Sequence, residues 1–527
     1  MFFCTCLLFA QQEITIKVVD SKNGAPLPNA TVKIKSTKKT ATTNADGILK
    51  MQAAANDVVE VSNVGFKTRS VTIASGQSDI TVDMEASLVD LGDVVILGTR
   101  GAARAKTETA VPVDVIKINA VGLPTAKMDL TSILNMAAPS FNYNKQSGAD
   151  GADHVDLGTL RGLGPDQTLV LINGKRRHQT AFVALFGTRG RGNSGADLNS
   201  FPEAAVDRIE ILRDGASAQY GSDAMAGVIN IVLKKDINHW SVNTGWSGYY
   251  DNKFNSYSQR KSNQYYSGKP IDGGTYTISA NNGLAIGKNG GFINFSLDFL
   301  TQAKTFRQVS TDNYQTDKDA LPYLNTGRRA FGDGSVKTYG AMYNMEIPTS
   351  ANATTTFYSF GGYNYKSSDA YAYTRNWSAK PERFPVDANG NLLYDANVMR
   401  TADDGEIYYN PHIQTHIADA SVAVGVKGKA GSNWNWDLSN TLGRNDFHYF
   451  GDKTYNASLI GANTPTHFDD GGFNFLQNTV NLDLSKSFNS IAEGLNLGFG
   501  AEYRYERYSI YKGEDASYKS YHPDPII

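Results

Sequence analysis

The chain of 527 residues carries 50 basic and 52 acidic side chains, a formal net charge of -2, so no bulk electrostatic attraction draws it to nucleic acid. At about 100–200 residues per domain, its length allows roughly three or more folding units. Overall hydropathy is negative and no apolar run reaches about eighteen residues, which excludes transmembrane helices but not membrane-crossing strands, whose alternation averages away in a hydropathy window.

Residues 1–10 hold both cysteines, Cys4 and Cys6, in an apolar stretch that ends at Ala10 before Gln11 and Gln12. This is the tail of a secretory signal by pattern, although the basic stretch expected ahead of it is absent. Cleavage after Ala10 leaves no cysteine, as suits an exported chain needing neither disulfides nor thiol ligands.

Residues 13–86 read as short strands with turns between them. Ile14, Ile16 and Val18 alternate with Thr15 and Lys17; Val32 and Ile34 continue the period of two; Val58–Val61 and Ser70–Ile73 follow. Turns fall at Asn23-Gly24, at Asn44-Ala45-Asp46-Gly47 and at Asn63-Val64-Gly65. Strands at this spacing argue for a small β-sandwich. The run from Val18 to Met51, with Val59 to Ile73, resembles the carboxypeptidase-regulatory-like domain that precedes many Bacteroidetes outer-membrane receptors. Protease chemistry does not come with the resemblance, because no histidine precedes His154 and no His-Glu zinc site can be assembled here.

Residues 87–110 form a linker containing Asp93-Val94-Val95-Ile96-Leu97. Five residues of high β-propensity also suit an ordinary edge strand. Lying between a sandwich and the segment described next, the patch is similar to a TonB box, an extended segment that adds as a strand to a partner's sheet edge through main-chain hydrogen bonds.

Residues 111–236 have mixed α/β character. Val111–Ile116 reads as a strand, Leu130–Met136 as a short helix ending before Pro139, and Thr168–Ile172 as a buried strand closed by the Asn173-Gly174 turn. Ile209–Leu212 and Val228–Leu233 are further strands, with Asp214-Gly215 turning between them. Two segments, "LGTLRGLGPDQTLVLINGKRRH" (157–178) and "FPEAAVDRIEILRDGASAQYGSDAMAGVINIVLKK" (201–235), closely resemble the plug domain of TonB-dependent receptors in the family's order and spacing. The resemblance implies that arginines at Arg161 and Arg213, with the charges Arg208, Glu210 and Asp214, fasten the plug to a barrel wall. Surface strand chemistry or turn formation is the plainer account of the same charges. Gly162, Asn173, Gly174, Gly215, Gly221 and Gly227 read as turn and close-packing positions. Arg176, Arg177, His178 and Gln179, with Arg189 and Arg191 in the glycine-rich stretch beyond, make a donor-rich loop expected to face an anionic or polyhydroxylated ligand.

Residues 237–527 shift to Tyr, Phe, Trp, Asn, Ser and Gly with a period of two. Ile293, Phe295, Leu297 and Phe299 alternate with polar residues, as do Val422, Val424 and Val426, then Trp434, Trp436 and Leu438, and finally Leu495, Leu497, Phe499, Ala501, Tyr503 and Tyr505. The last series is long enough to cross a bilayer, with an apolar lipid face, a polar lumen face and tyrosines at one end. The fold expected is mostly β: an N-terminal β-sandwich, an α/β plug and the N-terminal part of a transmembrane antiparallel β-barrel. About ten candidate strands follow the plug, against about 22 in plugged outer-membrane transporters, and the chain ends in a segment with two prolines, which suits no interior strand. Truncation is the simplest account of that difference; a smaller complete barrel is the alternative.

Three motifs invite other chemistry. Gly190-Arg191-Gly192-Asn193-Ser194-Gly195 matches a dinucleotide fingerprint, but Pro202 follows closely and no helical stripe opens at the glycines. His412 and His416 have the spacing of zinc ligands on a helix, yet no helical pattern surrounds them, which favours a hairpin loop. Asp387-Ala388-Asn389-Gly390-Asn391 has part of a calcium-loop spacing without the closing Glu, and reads as a turn. No cofactor, metal site or catalytic constellation is expected.

The function the resemblance implies is active import of a scarce solute (siderophore-iron, cobalamin or oligosaccharide) across the outer membrane. It implies as partners TonB with the inner-membrane ExbB/ExbD complex, outer-membrane lipid, the small solute and, in some importers of this kind, a surface lipoprotein, and it puts the sandwich in the periplasm. Two other readings stay open: a signal-transducing receptor of the same architecture, and a secreted β-rich carbohydrate-binding or adhesion protein.

Overall fold

The computed structural model describes residues 12–85 (except 22–23, 29, 64–65 and 67–68), 94–95, 104–105, 113–118, and 129–521 except 186–189, 251–269, 308–330, 350–354, 402–404, 432–433, 460–463 and 489–494. The leader, Asp93, Ile96 and Leu97 of the linker patch, and Arg189 lie outside the described residues. Val94–Val95 and Arg104–Ala105 are each extended. The chain divides into two compact units: Met1–Val94 with Arg104–Glu108, and Val95–Ala103 with Thr109–Ile527.

In the first unit, Gln12–Asp20 lies between Ile48–Ala53, antiparallel, and Asp79–Met84, parallel. A second sheet runs Thr40–Thr42, Thr31–Ile34, Val58–Ser62, Arg69–Thr72. The alternating residues Ile14, Ile16, Val18, Val32, Ile34, Val59 and Val61 are buried in one core, each such side chain worth about 1.5–3 kcal/mol. The expected strand Ser70–Ile73 is found at Arg69–Thr72. Asn44 Oδ1 accepts from the Asp46 and Ile48 amides and holds the expected turn.

The second unit begins with a five-stranded sheet: β1 (Val113–Lys117), β2 (Thr168–Ile172), β3 (Lys175–Arg176), β4 (Val206–Leu212) and β5 (Gly227–Leu233). Their spatial order is β1-β4-β5-β2-β3, antiparallel except for the parallel pair β2/β5. Both members of that pair are buried throughout, which is why their sequences read as near-continuous apolar runs, interrupted in β5 by Asn230. Helix α1 (Leu130–Ala137) opens at Asp129, whose Oδ1 accepts from the Ser132 amide. The β2–β3 turn places Asn173 at φ 47° and Gly174 at φ 80°, as the tight hairpin read from Asn-Gly requires. At Gly227, φ is 144° and an added Cβ would stand 2.4 Å from the Leu212 carbonyl oxygen, so the β4–β5 ladder closes only over glycine.

A nine-stranded up-and-down antiparallel sheet follows among the described residues: β6 (Ser241–Tyr250), β7 (Ile271–Ile286), β8 (Gly291–Gln302), β9 (Ser335–Pro348), β10 (Thr355–Tyr371), β11 (His412–Ala430), β12 (Trp434–Asp452), β13 (His467–Phe488) and β14 (Leu495–Lys512). Connections at one end are short (287–290, 349–354, 431–433, 489–494) and at the other long (251–270, 303–334, 372–411, 453–466). Along β11–β14, side chains of one parity meet the plug while Val422, Val424, Leu438, Leu442, Val480, Leu482, Leu497 and Phe499 stand exposed on the other face. A polar inner face and a largely apolar outer face suit a lipid-crossing wall; the two outer-face asparagines of β12 and β13, Asn440 and Asn478, satisfy each other by hydrogen bonds. The strands run well past the apolar windows read from sequence: the Val422–Val426 and Trp434–Leu438 alternations belong to β11 and β12, each far longer. His412 and His416, read as a hairpin loop, lie in β11 itself, because pairing with β10 and β12 extends that strand to His412.

Candidate functional site at the plug boundary

The plug core and the wall share one hydrophobic cluster, in which Ile172, Phe201 and Ile209 join Met342, Tyr358, Phe360 and Ala423 of β9–β11. Charge is concentrated just beyond the Asn173-Gly174 turn, where four consecutive cations or imidazoles meet acids. Lys175 Nζ donates to Asp437 Oδ1 of β12 at 3.0 Å and to Asp483 Oδ2 of β13 at 3.4 Å. Arg176 pairs with Asp223 of the plug and donates to the Tyr220 carbonyl at 2.5 Å; its Nε also stands 3.7 Å from Glu502 Oε1 of β14. Arg177 pairs with Asp419 of β11, and its guanidinium lies over the Phe201 ring, 4.8 Å from the centroid. His178 Nε2 is 3.0 Å from the other oxygen of Asp419, which also accepts from Asn445 Nδ2 at 2.9 Å.

These side chains are nearly sealed: Arg177, His178 and Asp419 are 4%, 3% and 8% exposed. Burial, with Arg177 alongside, lowers the His178 pKa from its ordinary value. Gly443 makes the approach possible, since a Cβ there would fall 2.0 Å from His178 Nδ1.

A second latch runs the other way, from wall to plug. Lys366 of β10 donates to Asp197 at 2.7 Å and to the His154 carbonyl at 3.3 Å, with Asp156 at 3.6 Å. The Tyr143 hydroxyl donates to Asp156; burial first, and then Asp156, push the Tyr143 pKa well up. His154 Nδ1 is 2.6 Å from Ser368 Oγ, and burial lowers its pKa. Toward the long-connection end, Ala181 donates to Asn445 and its carbonyl accepts from Tyr508 at 3.2 Å, while Phe182 packs on Phe447.

Several residues singled out from sequence lie elsewhere than expected. Among the described contacts, Arg161, Arg208, Glu210, Arg213 and Asp214 are engaged inside the plug: Arg161 with Asp214 at 3.5 Å, Arg213 with Asp114 at 3.0 Å, and Arg208 with Glu210 at 2.9 Å. Glu210 is fully buried and also accepts from Asn230, its cross-strand neighbour within the plug. Arg176, Arg177 and His178, expected on a ligand-facing loop, turn onto Asp223 and the wall instead, since a buried guanidinium needs a carboxylate. Gln179 is half-buried and Arg191 is exposed. Of the turn positions, Gly162, Asn173, Gly174, Gly221 and Gly227 have positive φ. Gly215 does not, and an added Cβ there would come within 3.3 Å of the Met225 carbonyl oxygen.

The other motifs resolve into ordinary structure. Asn193 donates to the Gly190 carbonyl in a turn, and no helix opens at Gly190–Gly195. Asp387 Oδ1 accepts from the Asn389 and Asn391 amides, closing a turn. Asp369, His412 and Asp452 bring three ligand-type groups together, but the Lys304 ammonium is paired with Asp369 and 3.2 Å from His412 Nδ1, already filling the place a cation would take. The wall partners Asp419, Asn445, Lys366, Asp437 and Asp483 were not singled out from sequence; their one signal is a polar residue on the inward parity of an otherwise alternating strand.

Between the plug and β6–β10 lies an open cavity of about 640 Å³, bounded by α1, Tyr143, His154, residues of both faces of the edge strand β6, and residues of β7–β10.

Two family descriptions match the chain: "TonB-dependent Receptor Plug Domain" over residues 105–228 and "CarboxypepD_reg-like domain" over residues 14–96. In these two segments the chain is similar to TonB-dependent receptors. Among its relatives, the ferric enterobactin receptor PirA of Pseudomonas aeruginosa is 36% identical over 151 residues, 28% of this chain and 19% of that protein. The ferrienterobactin receptor of Escherichia coli is 31% identical over 159 residues, 30% of this chain and 20% of that protein. The matched part thus spans about a fifth of the length of these relatives. The pyoverdine outer membrane receptor FpvA of Pseudomonas aeruginosa aligns at TM-score 0.43 and 12% identity, covering 77% of this chain and 48% of that one.

Proposed function

We propose that this chain is part of an outer-membrane importer in which the plug, residues 111–236, stoppers a barrel and is released by pull from TonB. The observation that carries the reading is the double latch: Arg177 and His178 of the plug on Asp419 of the wall, and Lys366 of the wall on Asp197 of the plug. Such pairs hold a plug in one place while remaining polar and exchangeable for water, as an opening device requires. The apolar outer face supports seating in lipid, and the unequal connections support an orientation with the long ones outward. The enterobactin receptors among its relatives favour an iron-siderophore as solute over cobalamin or an oligosaccharide.

Asp93–Leu97 is the segment proposed to pair as a strand with TonB, energised by ExbB/ExbD, with the sandwich of residues 13–86 on the periplasmic side. Of the loop residues expected to meet ligand, Arg189 and Arg191 keep that role in this reading. The test is deletion of Asp93–Leu97 from the full-length gene product: solute binding at the cell surface is expected to persist while energy-dependent uptake stops. Uptake at the parental rate would refute the coupling role.

A further inference from the structure

Two arginines stand on the outer face of the wall, where no plug latch can use them. Arg444 of β12 lies directly opposite Leu476 of β13, and Leu476 lies opposite Arg507 of β14. Residues opposite one another in an antiparallel ladder share a face, and at about 4.8 Å per strand the two arginine Cα atoms are about 10 Å apart. The inward parity of β12 belongs to Asp437 and Asn445, which meet the plug, so this row faces outward.

Its height is set by what lies below it. At the short-connection end Trp434 meets the Phe499 ring edge-on, and the Lys486 ammonium sits 5.6 Å from the Trp434 ring centroid. Aromatic rings with a snorkelling lysine mark a membrane interface. From Trp434 to Arg444 the strand climbs about 33 Å, which a tilt of about 35–45° reduces to roughly 23–27 Å. That matches the apolar band of an outer-membrane wall, about 25 Å tall. Leu438, Leu442, Val480 and Leu482 fill the interval. The arginine row therefore falls at the far boundary, level with lipid headgroups on the long-connection side.

Carboxylate is scarce at that level. Asp446, one row above, accepts from the Tyr511 hydroxyl at 2.9 Å, and its other oxygen is 3.5 Å from Arg444, whose side chain is 56% exposed. Arg507 is exposed and has no ion pair among the described residues. Two guanidiniums on side chains this long can converge on one tetrahedral anion, each offering paired donors. Leu476 between them, with Leu442 and Tyr505 in the next row down, gives an acyl chain an apolar seat directly below that anion. A soluble anion would use the guanidiniums alone, whereas a lipid uses both features.

We infer that Arg444 and Arg507 form a docking site for a phosphate-bearing lipid of the outer leaflet, with the phosphate between the guanidiniums and an acyl chain over Leu476 and Leu442. The inference rests on the outer-membrane reading of the wall and adds a partner to it.

The test places a bimane fluorophore at Val480→Cys, two rows below the arginines on the same face. The full-length gene product is reconstituted into phosphatidylcholine vesicles, with the parent labelled alongside as the background for Cys4 and Cys6. Quenching is compared between small fractions of phosphatidic acid and of phosphatidylcholine, each brominated mid-chain. Phosphatidic acid is expected to be enriched at the probe by at least ~5-fold. Arg444→Gln with Arg507→Gln should bring the ratio to parity, Arg444→Lys with Arg507→Lys should keep part of it, and Arg507→Glu should push it below parity. Equal quenching by the two lipids, or an enrichment that the double glutamine variant leaves intact, overturns the inference. So does an enrichment abolished by inorganic phosphate, which would mark a site for free anions. No quenching by either lipid would remove the lipid-facing wall itself, and the inference with it.

Discussion

Replacing Asp419 by alanine tests the plug latch most directly. The carboxylate accepts from Arg177, His178 and Asn445 in a site where all the charged partners are under a tenth exposed. His178 can remain neutral, but the Arg177 guanidinium cannot, so the variant leaves a buried cation without its counter-ion. Removing one partner of a buried pair typically costs about 3–5 kcal/mol. With a urea slope of about 2 kcal/mol per molar for a domain of the plug's size, the midpoint for plug release should fall by roughly 1.5–2.5 M. The release can be followed in detergent through reaction of a cysteine at Ala205, which is 4% exposed in the plug core. Asp446→Ala, on the outer parity of β12 where the carboxylate meets Arg444 and Tyr511 among the described residues, is the matched control and should cost under about 0.5 kcal/mol, a midpoint shift of under about 0.25 M. Arg177→Met combined with Asp419→Leu should recover most of the loss, because an apolar pair needs no desolvated charge. An Asp419→Ala shift no larger than that of Asp446→Ala would show that this contact does not hold the plug.

Acidification should loosen the same boundary. His178 and His154 have folded pKa values below the ordinary 6.5, so the released plug binds protons that the docked one does not, and docking is strongest above pH 6.5 and weakens as pH falls below it. Comparing parent with His178→Gln between pH 7.5 and 5.5 isolates the contribution; a parent that docks more tightly at the lower pH contradicts it. Asn173→Ala should cost about 2–3 kcal/mol of plug stability, from a non-glycine residue at φ 47° that also accepts from the Leu233 amide and donates to Asn344; retention of the parental urea midpoint counts against it. Leu482→Arg, on the outer face of β13, should cost about 2–4 kcal/mol if that face meets lipid near mid-bilayer, read as loss of folded protein from outer-membrane fractions; unchanged recovery removes the lipid assignment for this strand.

Much of the architecture was legible in the chain because strand and turn signals are local. The alternation of Leu495, Leu497 and Phe499 fixes which side chains share a face whatever the strand pairs with, and Asn173-Gly174 specifies its hairpin through backbone conformations open to few residue types. The buried pair β2 and β5 likewise announced itself in two mostly apolar runs, with Asn230 the polar exception inside β5. Tertiary structure alone decided how far the wall strands extend, since pairing with neighbours carries β11 and β12 far past the alternation that marks them. It also decided where each plug charge finds its partner. Arg177 and Asp419 are 242 residues apart, and their meeting depends on the register of several strands and on the depth at which the plug sits. Neither leaves a periodic trace in sequence. Arg161 and Arg213 look as well suited to the wall as Arg177 when read alone; the fold turns them toward Asp214 and Asp114 because those acids are already beside them on the plug's own strands and turns.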